Sequence, residues 1–211
     1  MFLPPNSLPP LSLRRRGFLA ATAGTLLAAG GVAHAADEML AERSLGKPDA
    51  RVTVQEFFSL TCIHCAAFTH DVFPEIKEKL INTGRIRWVF RDFPLDKLAL
   101  AAAQVARSLP PERYDPFIEA LLATQMRWAF ARDVNNMDEM FKMAALAGLS
   151  RAQFDAAVAD KKLESAILAE IDVASKKYGV DATPTFVANE QKKAGEVDYA
   201  SFAKWMEELG A

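Results

Sequence analysis

Cysteine is nearly absent from this chain: its 211 residues contain two, Cys62 and Cys65. Two cysteines three positions apart cannot form the disulfide framework that staples a small secreted domain, so the fold must rest on a hydrophobic core. The 51% of hydrophobic residues is enough to build one, and the length suits one domain of ordinary size with an insertion. Histidine is scarce as well, at three residues. Cys62, His64 and Cys65 fall one short of the four ligands of a structural zinc site, and His70 lies off the helical face of His64. No metal and no cofactor is expected, and the cysteine pair itself is the candidate redox group.

Acidic residues are missing altogether from positions 1–35. That segment runs from the basic cluster Arg14-Arg15-Arg16 through an Ala/Gly/Leu-rich stretch, Phe18 to Val32, to Ala33-His34-Ala35. This is the pattern of a cleavable signal peptide, which puts the mature start at Ala36. The apolar stretch is shorter than the ~20 residues of a membrane span and is diluted by Gly24, Gly30 and Gly31. Arg15-Arg16-Gly17-Phe18-Leu19 resembles a twin-arginine signal, with Arg14 where Ser or Thr is usual. Either route leads to the periplasm. Cleavage removes three arginines and no acid, taking the formal net charge from −2 to −5, which argues against a nucleic-acid or anionic-membrane surface.

Past an N-terminal extension, 36–50, Val52 to Phe58 alternates and is rich in β-branched and aromatic residues, as in a strand. From Cys65, the spacing of Phe68, Val72, Ile76 and Leu80 predicts a helix, which Pro74 should kink and Asn82-Thr83-Gly84 should end. Ile86 to Phe90 reads as a second strand, parallel to the first. A helical region follows. Leu98 to Leu109 stops at Pro110-Pro111, Asp115-Pro116 has the form of an N-cap and first helical residue, and Asn136/Glu139 and Ser150/Gln153 have capping-box spacing. Gly148 and Gly179 fit helix C-termini, the second closing a long helix from near Lys162 to Tyr178. The chain closes with a strand at Thr183 to Ala188, a weak strand at Lys192 to Ala194, and an amphipathic helix from Tyr199 to Leu209.

Cys62 therefore stands at a strand-to-helix junction, where unpaired amides and the helix dipole stabilise negative charge and lower a thiol pKa. Thiolate is the species that attacks disulfides, so Cys62 is the expected nucleophile, exposed, with Cys65 buried one turn in as the resolving thiol. His64 can give the Cys62 thiolate a hydrogen bond or a positive charge, favouring the reduced pair and so making an oxidant. Met126, Trp128, Phe130, Met137, Met140, Phe141 and Met143 are expected to be mainly core, with some available for an adaptable apolar groove.

Strand, Cys62-Ile63-His64-Cys65 at a helix start, strand, a long all-helical stretch and then Thr-Pro opening a strand resembles the DsbA-like branch of the thioredoxin superfamily. The resemblance implies an α/β thioredoxin fold formed by 51–94 and 162–211, with an all-helical insertion at 95–161. It implies a cis proline at Pro184, preceded by Thr183, against the reactive pair, and a proton-relaying carboxylate at Glu56 beneath it. It further implies disulfide introduction into unfolded exported proteins and reoxidation by a DsbB-like, quinone-linked membrane protein. Two positions depart from the pattern: Ile63 stands where the best-known oxidant motif has proline, and Asn189-Glu190 where Asn-Gly is common. The rivals are a disulfide isomerase or reductase kept reduced by a membrane donor, and a chaperone or binding module without turnover. About fifteen residues between Ala36 and the first strand are too few for an oligomerisation domain, so a monomer is expected.

Overall fold

The computed structural model describes residues 39–211; the leader expected over 1–35 and the mature start at Ala36 lie outside them. Five strands form one mixed sheet in the order β1-β3-β2-β4-β5: β1 Arg43–Leu45, β2 Val52–Phe58, β3 Ile86–Asp92, β4 Thr185–Ala188 and β5 Gln191–Ala194. β2 and β3 are parallel, with Val52 opposite Ile86 and Phe58 opposite Asp92, and the other three pairings are antiparallel. The edge strand β1 falls in the segment expected as a plain extension. Three residues carry too little periodicity to announce a strand, and its pairing with β3 is a tertiary fact.

Between β2 and β3 run α1 Ile63–Asp71 and α2 Phe73–Ile76, the latter continuing into a π-helical turn, Lys77–Ile81. Pro74 does more than kink this helix. Lacking an N–H, it cannot bond to the His70 carbonyl, and the helix divides at Val72. After β3 come α3 Lys97–Arg107, α4 Pro111–Ala123, the single turn α5 Gln125–Trp128, α6 Asn136–Leu146 and α7 Arg151–Ala159; α8 Lys161–Tyr178 leads back to the sheet, and α9 Tyr199–Glu208 ends the fold.

Two expected starts are displaced. α4 begins at Pro111 rather than at Asp115-Pro116, which sits inside the helix. Pro111 supplies the preset φ of a first helical residue. Asp115 is drawn instead to Lys77, at 2.6 Å, and burial of Tyr114, Phe117, Ile118 and Leu121 carries the helix past Pro116. In α6 the cap is Asn135, whose Oδ1 accepts from the amides of Met137 and Asp138 at 3.0 and 3.3 Å. Asn136 is helical, and its amide donates to the carbonyls of Trp128 and Ala129. The Ser150/Gln153 capping box forms with both reciprocal bonds, and Gly179 closes α8 with φ 65°, a left-handed conformation suited to glycine.

The sheet's two faces are set by the alternation in β2. Val52, Val54, Glu56 and Phe58 point one way; Thr53, Gln55 and Phe57 point the other, where Phe57, Phe93, Val180 and Val187 pack with Ala174 of α8. On the first face Trp88 is fully buried, with ring centroids of Phe73 at 5.1 Å, Phe202 at 5.8 Å, Phe186 at 5.9 Å and Phe68 at 6.2 Å. Beyond the area they bury, such aromatic pairs contribute about 0.5–1.5 kcal/mol each, so this cluster fixes α1 and α9 to the sheet. The N-terminus of α1 is thereby held at the C-terminal end of β2.

Candidate active site

Cys62 caps α1 with φ −83° and ψ 119°, and its Sγ accepts from the Cys65 amide at 3.4 Å. It is only 7% exposed, against the expectation of an exposed nucleophile. The reason is the loop that opens β4: the Thr183–Pro184 peptide bond is cis, and the Thr183 carbonyl accepts from the Cys62 thiol at 3.3 Å. Both cysteines are unbridged thiols, and Cys65 is wholly buried.

The Cys62 pKa is lowered from 9.0 to about 5. Its largest cause is the hydrogen bond from the Cys65 side chain; burial opposes it, and Thr183 and the Cys65 and His64 amides reinforce it. The Thr183 hydroxyl has no other partner among the described residues, which leaves it available to the sulfur. Ionisation breaks the bond from the thiol to the Thr183 carbonyl while strengthening every donor aimed at sulfur. Cys65 goes the other way: burial raises its pKa, and the neighbouring Cys62 adds to that. The pair is thus polarised into one thiolate and one thiol.

His64 contributes to Cys62 through its backbone amide. Its ring is exposed and sits 2.6 Å from Glu196, in the loop between β5 and α9, which raises the imidazole pKa. Glu196 had no signal in the sequence, because 132 positions separate it from His64.

Glu56 is 4% exposed, opposite Phe90 on β3 and Phe186 on β4. Trp88 Nε1 donates to its Oε2 at 3.1 Å, and Oε1 has no partner among the described residues. Burial dominates and lifts its pKa from 4.5 to about 8, with Asp115 and Cys62 adding repulsion. Glu56 is thus a buried carboxyl and not a solvated strand residue.

The helices between β3 and α8 also reach the site, through residues that sequence reasoning passed over. Thr61 Oγ1 donates to Asp96 Oδ2 at 2.6 Å, while Asp96 Oδ1 caps α3 by accepting from the Ala99 amide at 2.8 Å. Gln125 is buried against the loop that carries Cys62. Its only sequence signal is a polar residue beside the core residue Trp128. Of the Met/aromatic residues, Trp128 and Met140 are buried, Met137, Phe141 and Met143 pack partly against the core, and Met126 and Phe130 are exposed. Ile63, Leu95 and Met126 are each more than half exposed, on the three segments joined at this loop. No group of three or more His, Cys, Asp or Glu side chains among the described residues could hold a metal, and no helix there is long and apolar enough to cross a membrane.

The thioredoxin family model matches residues 38–208. A Rickettsia prowazekii protein, provisionally named a protein-disulfide oxidoreductase, is 30% identical over 146 residues, 69% of this chain and 53% of that protein. The chain spans about half the length of the curated Rickettsia relatives it matches. Disulfide bond formation protein D of Bacillus subtilis is 24% identical over 171 residues, 77% of this chain and 74% of its own. Among solved structures, alpha-DsbA1 of Wolbachia pipientis is 31% identical and superposes with a TM-score of 0.73, covering 80% of this chain and 90% of that one.

Proposed function

We propose, for a chain that belongs to the DsbA-like branch of the thioredoxin superfamily, that it is an exported thiol-disulfide oxidoreductase that introduces disulfides into unfolded polypeptides through Cys62 and Cys65. The observation that carries this reading is the placement of the pair: Cys62 Sγ caps the helix 3.4 Å from the Cys65 amide, while Cys65 is wholly buried, an arrangement that lowers the first pKa to about 5 and raises the second. A thiolate stabilised that far favours the reduced pair, so the oxidised pair gives up its disulfide readily.

In the oxidised protein a substrate thiolate attacks Cys62 Sγ. A substrate–Cys62 disulfide forms, the Cys62–Cys65 bond breaks, and Cys65 leaves as a thiolate. Burial makes that thiolate costly, and Glu56, protonated at neutral pH, is the group beneath the site able to give it a proton. A second substrate thiolate then attacks the substrate sulfur of the mixed disulfide and expels Cys62, whose low pKa makes it a good leaving group. The substrate leaves oxidised by two electrons, which remain on the Cys62–Cys65 dithiol.

Return to the disulfide requires a two-electron acceptor, for which family membership supports a DsbB-like, quinone-linked membrane protein. The setting is the periplasm, and the protein acts as a monomer. Ile63, Leu95 and Met126 around the loop favour unfolded chains, whose apolar side chains are accessible, over folded ones.

The test is oxidation of a reduced, unfolded two-cysteine polypeptide. Cys62→Ala and Cys65→Ala are each expected to abolish turnover, because neither variant can form the Cys62–Cys65 disulfide that supplies the two oxidising equivalents. Full turnover by Cys62→Ala would refute the mechanism. Undiminished binding of unfolded chains by the double serine variant, with no turnover by the native pair, would establish the holding module instead.

A further inference from the structure

One side chain outside the strands and helix that frame the cysteines holds the backbone on both sides of the nucleophile. Gln125, the first residue of α5, is 3% exposed, and its Nε2 donates to the Leu60 carbonyl at 2.9 Å and to the Cys62 carbonyl at 3.1 Å. A primary amide nitrogen carries two hydrogens, and both are used here. Turning the amide over would set its oxygen against two carbonyl oxygens, so the hydrogen-bond network fixes its orientation.

The carbonyls it holds matter. The Cys62 carbonyl also accepts the Ala66 amide at 3.1 Å, the first hydrogen bond of α1, so its direction aligns the helix start with the loop before it. The Cys62 backbone angles decide whether Sγ lies over the amides of that first turn, and Sγ does lie there, 3.4 Å from the Cys65 nitrogen. Without Gln125 the Leu60 carbonyl would lose this buried donor, and the peptide planes between Leu60 and Cys62 would be held only on their amide side, by Thr61 N to Ser59 Oγ at 3.4 Å and Cys62 N to the Ser59 carbonyl at 3.1 Å. The Asp96–Thr61 bond would not replace Gln125, because it grips a side chain one residue upstream.

We propose that Gln125 is a positioning residue for Cys62: by pinning the Leu60 and Cys62 carbonyls it keeps the sulfur over the first amides of α1, so that the helical segment between β3 and α8 sets the reactivity of the cysteine pair. This rests on Cys62 being the nucleophile. It assigns Gln125 no contact with substrate. An apolar side chain of the same length would fill the same space, so packing alone does not require glutamine here.

The experiment is titration of the reduced protein by thiolate absorbance, with Cys62→Ser locating the Cys62 transition, in the native chain and in Gln125→Met, which keeps the volume and removes the donors. Gln125→Met is expected to raise the Cys62 midpoint by about one pH unit and to shift the equilibrium with glutathione at pH 7 about tenfold toward the protein disulfide. A lowered melting temperature with an unchanged midpoint and equilibrium would overturn the assignment and leave Gln125 a packing residue. A native Cys62 midpoint above 8 would instead overturn the nucleophile reading on which it stands. If Gln125→Met does not fold, the Gln125 side-chain amide is followed by nitrogen-15 NMR in the native chain. Its resonance is expected to move with the Cys62 titration, and an amide that stays fixed through that transition overturns the proposal.

Discussion

Replacing Glu56 by glutamine should make the reduced protein more stable in mild alkali and slower as a catalyst. In the unfolded chain this carboxyl ionises near 4.5, whereas in the fold it holds its proton to about 8. Its folded pKa is raised, so its contribution to stability is fully present below pH 4.5 and is lost as pH rises through 8. At about 1.36 kcal/mol per pH unit, the ceiling on that loss is about 5 kcal/mol. Relaxation and water penetration around a buried charge reduce it, and we expect about 2–3 kcal/mol. Glutamine cannot ionise, and its oxygen can still accept from Trp88 Nε1, now 3.1 Å from Glu56 Oε2. Urea unfolding of both reduced proteins at pH 5 and pH 9 measures the difference. Near pH 5 the variant should match the native chain or fall about 1 kcal/mol below it, since a buried amide brings an unpaired donor. By pH 9 it should lead by about 2–3 kcal/mol. In single turnover, loss of the proton donor should slow mixed-disulfide formation by about 10- to 100-fold, within the range of general acid catalysis. A stability difference that stays constant from pH 5 to pH 9 would refute the assignment of a protonated, buried carboxyl.

Three further outcomes are expected. Alkylation of the reduced protein by iodoacetamide should rise through a midpoint near pH 5 and be flat above about pH 6.5, because Cys62 is then already thiolate; a rate still climbing at pH 8 would show an ordinary thiol. Glu196→Gln should lower the His64 midpoint measured by NMR, since the carboxylate 2.6 Å from Nδ1 is what raises it. The turn between β4 and β5 places Asn189 at φ 46° and Glu190 at φ 67°, and Glu190→Gly should raise the unfolding free energy by about 1 kcal/mol by relieving a side chain from the left-handed region; no gain would show that Glu190 makes a compensating contact.

Much of the fold was legible because its periodicities are local. The alternation from Val52 to Phe58, the four-residue spacing from Phe68 to Leu80 and the Ser150/Gln153 box each depend on a few neighbouring residues, and each appears in the structure at or near its expected place. Misplaced boundaries arose where tertiary contacts overrode local signals. Asp115 pairs with Lys77 from another helix instead of capping its own, and Asn136 turns its amide to the end of α5. Within the site, the cysteines and their helix start were evident from spacing. The near-burial of Cys62 was not, because it depends on Thr183, 121 positions away. Gln125 and Glu196 were hidden for the same reason: each meets the Cys62–Cys65 segment, Gln125 at the Cys62 carbonyl and Glu196 at the His64 ring, through a contact between residues more than sixty positions apart.

The central claim is that a stabilised Cys62 thiolate makes the Cys62–Cys65 disulfide an oxidant, and equilibration of the protein with glutathione buffers at pH 7 tests it most directly. A pKa near 5 stabilises the reduced form at pH 7 by about 2.3 kcal/mol over a thiol of pKa 7, which is itself half ionised there; this is roughly 50 mV for a two-electron couple. Thioredoxin, with a thiol of pKa ≈ 7, lies near −270 mV, so a potential of about −220 mV or higher is expected, toward the −120 mV or so of the strongest oxidants in the family. A value at or below about −270 mV would contradict it and make the protein a reductant.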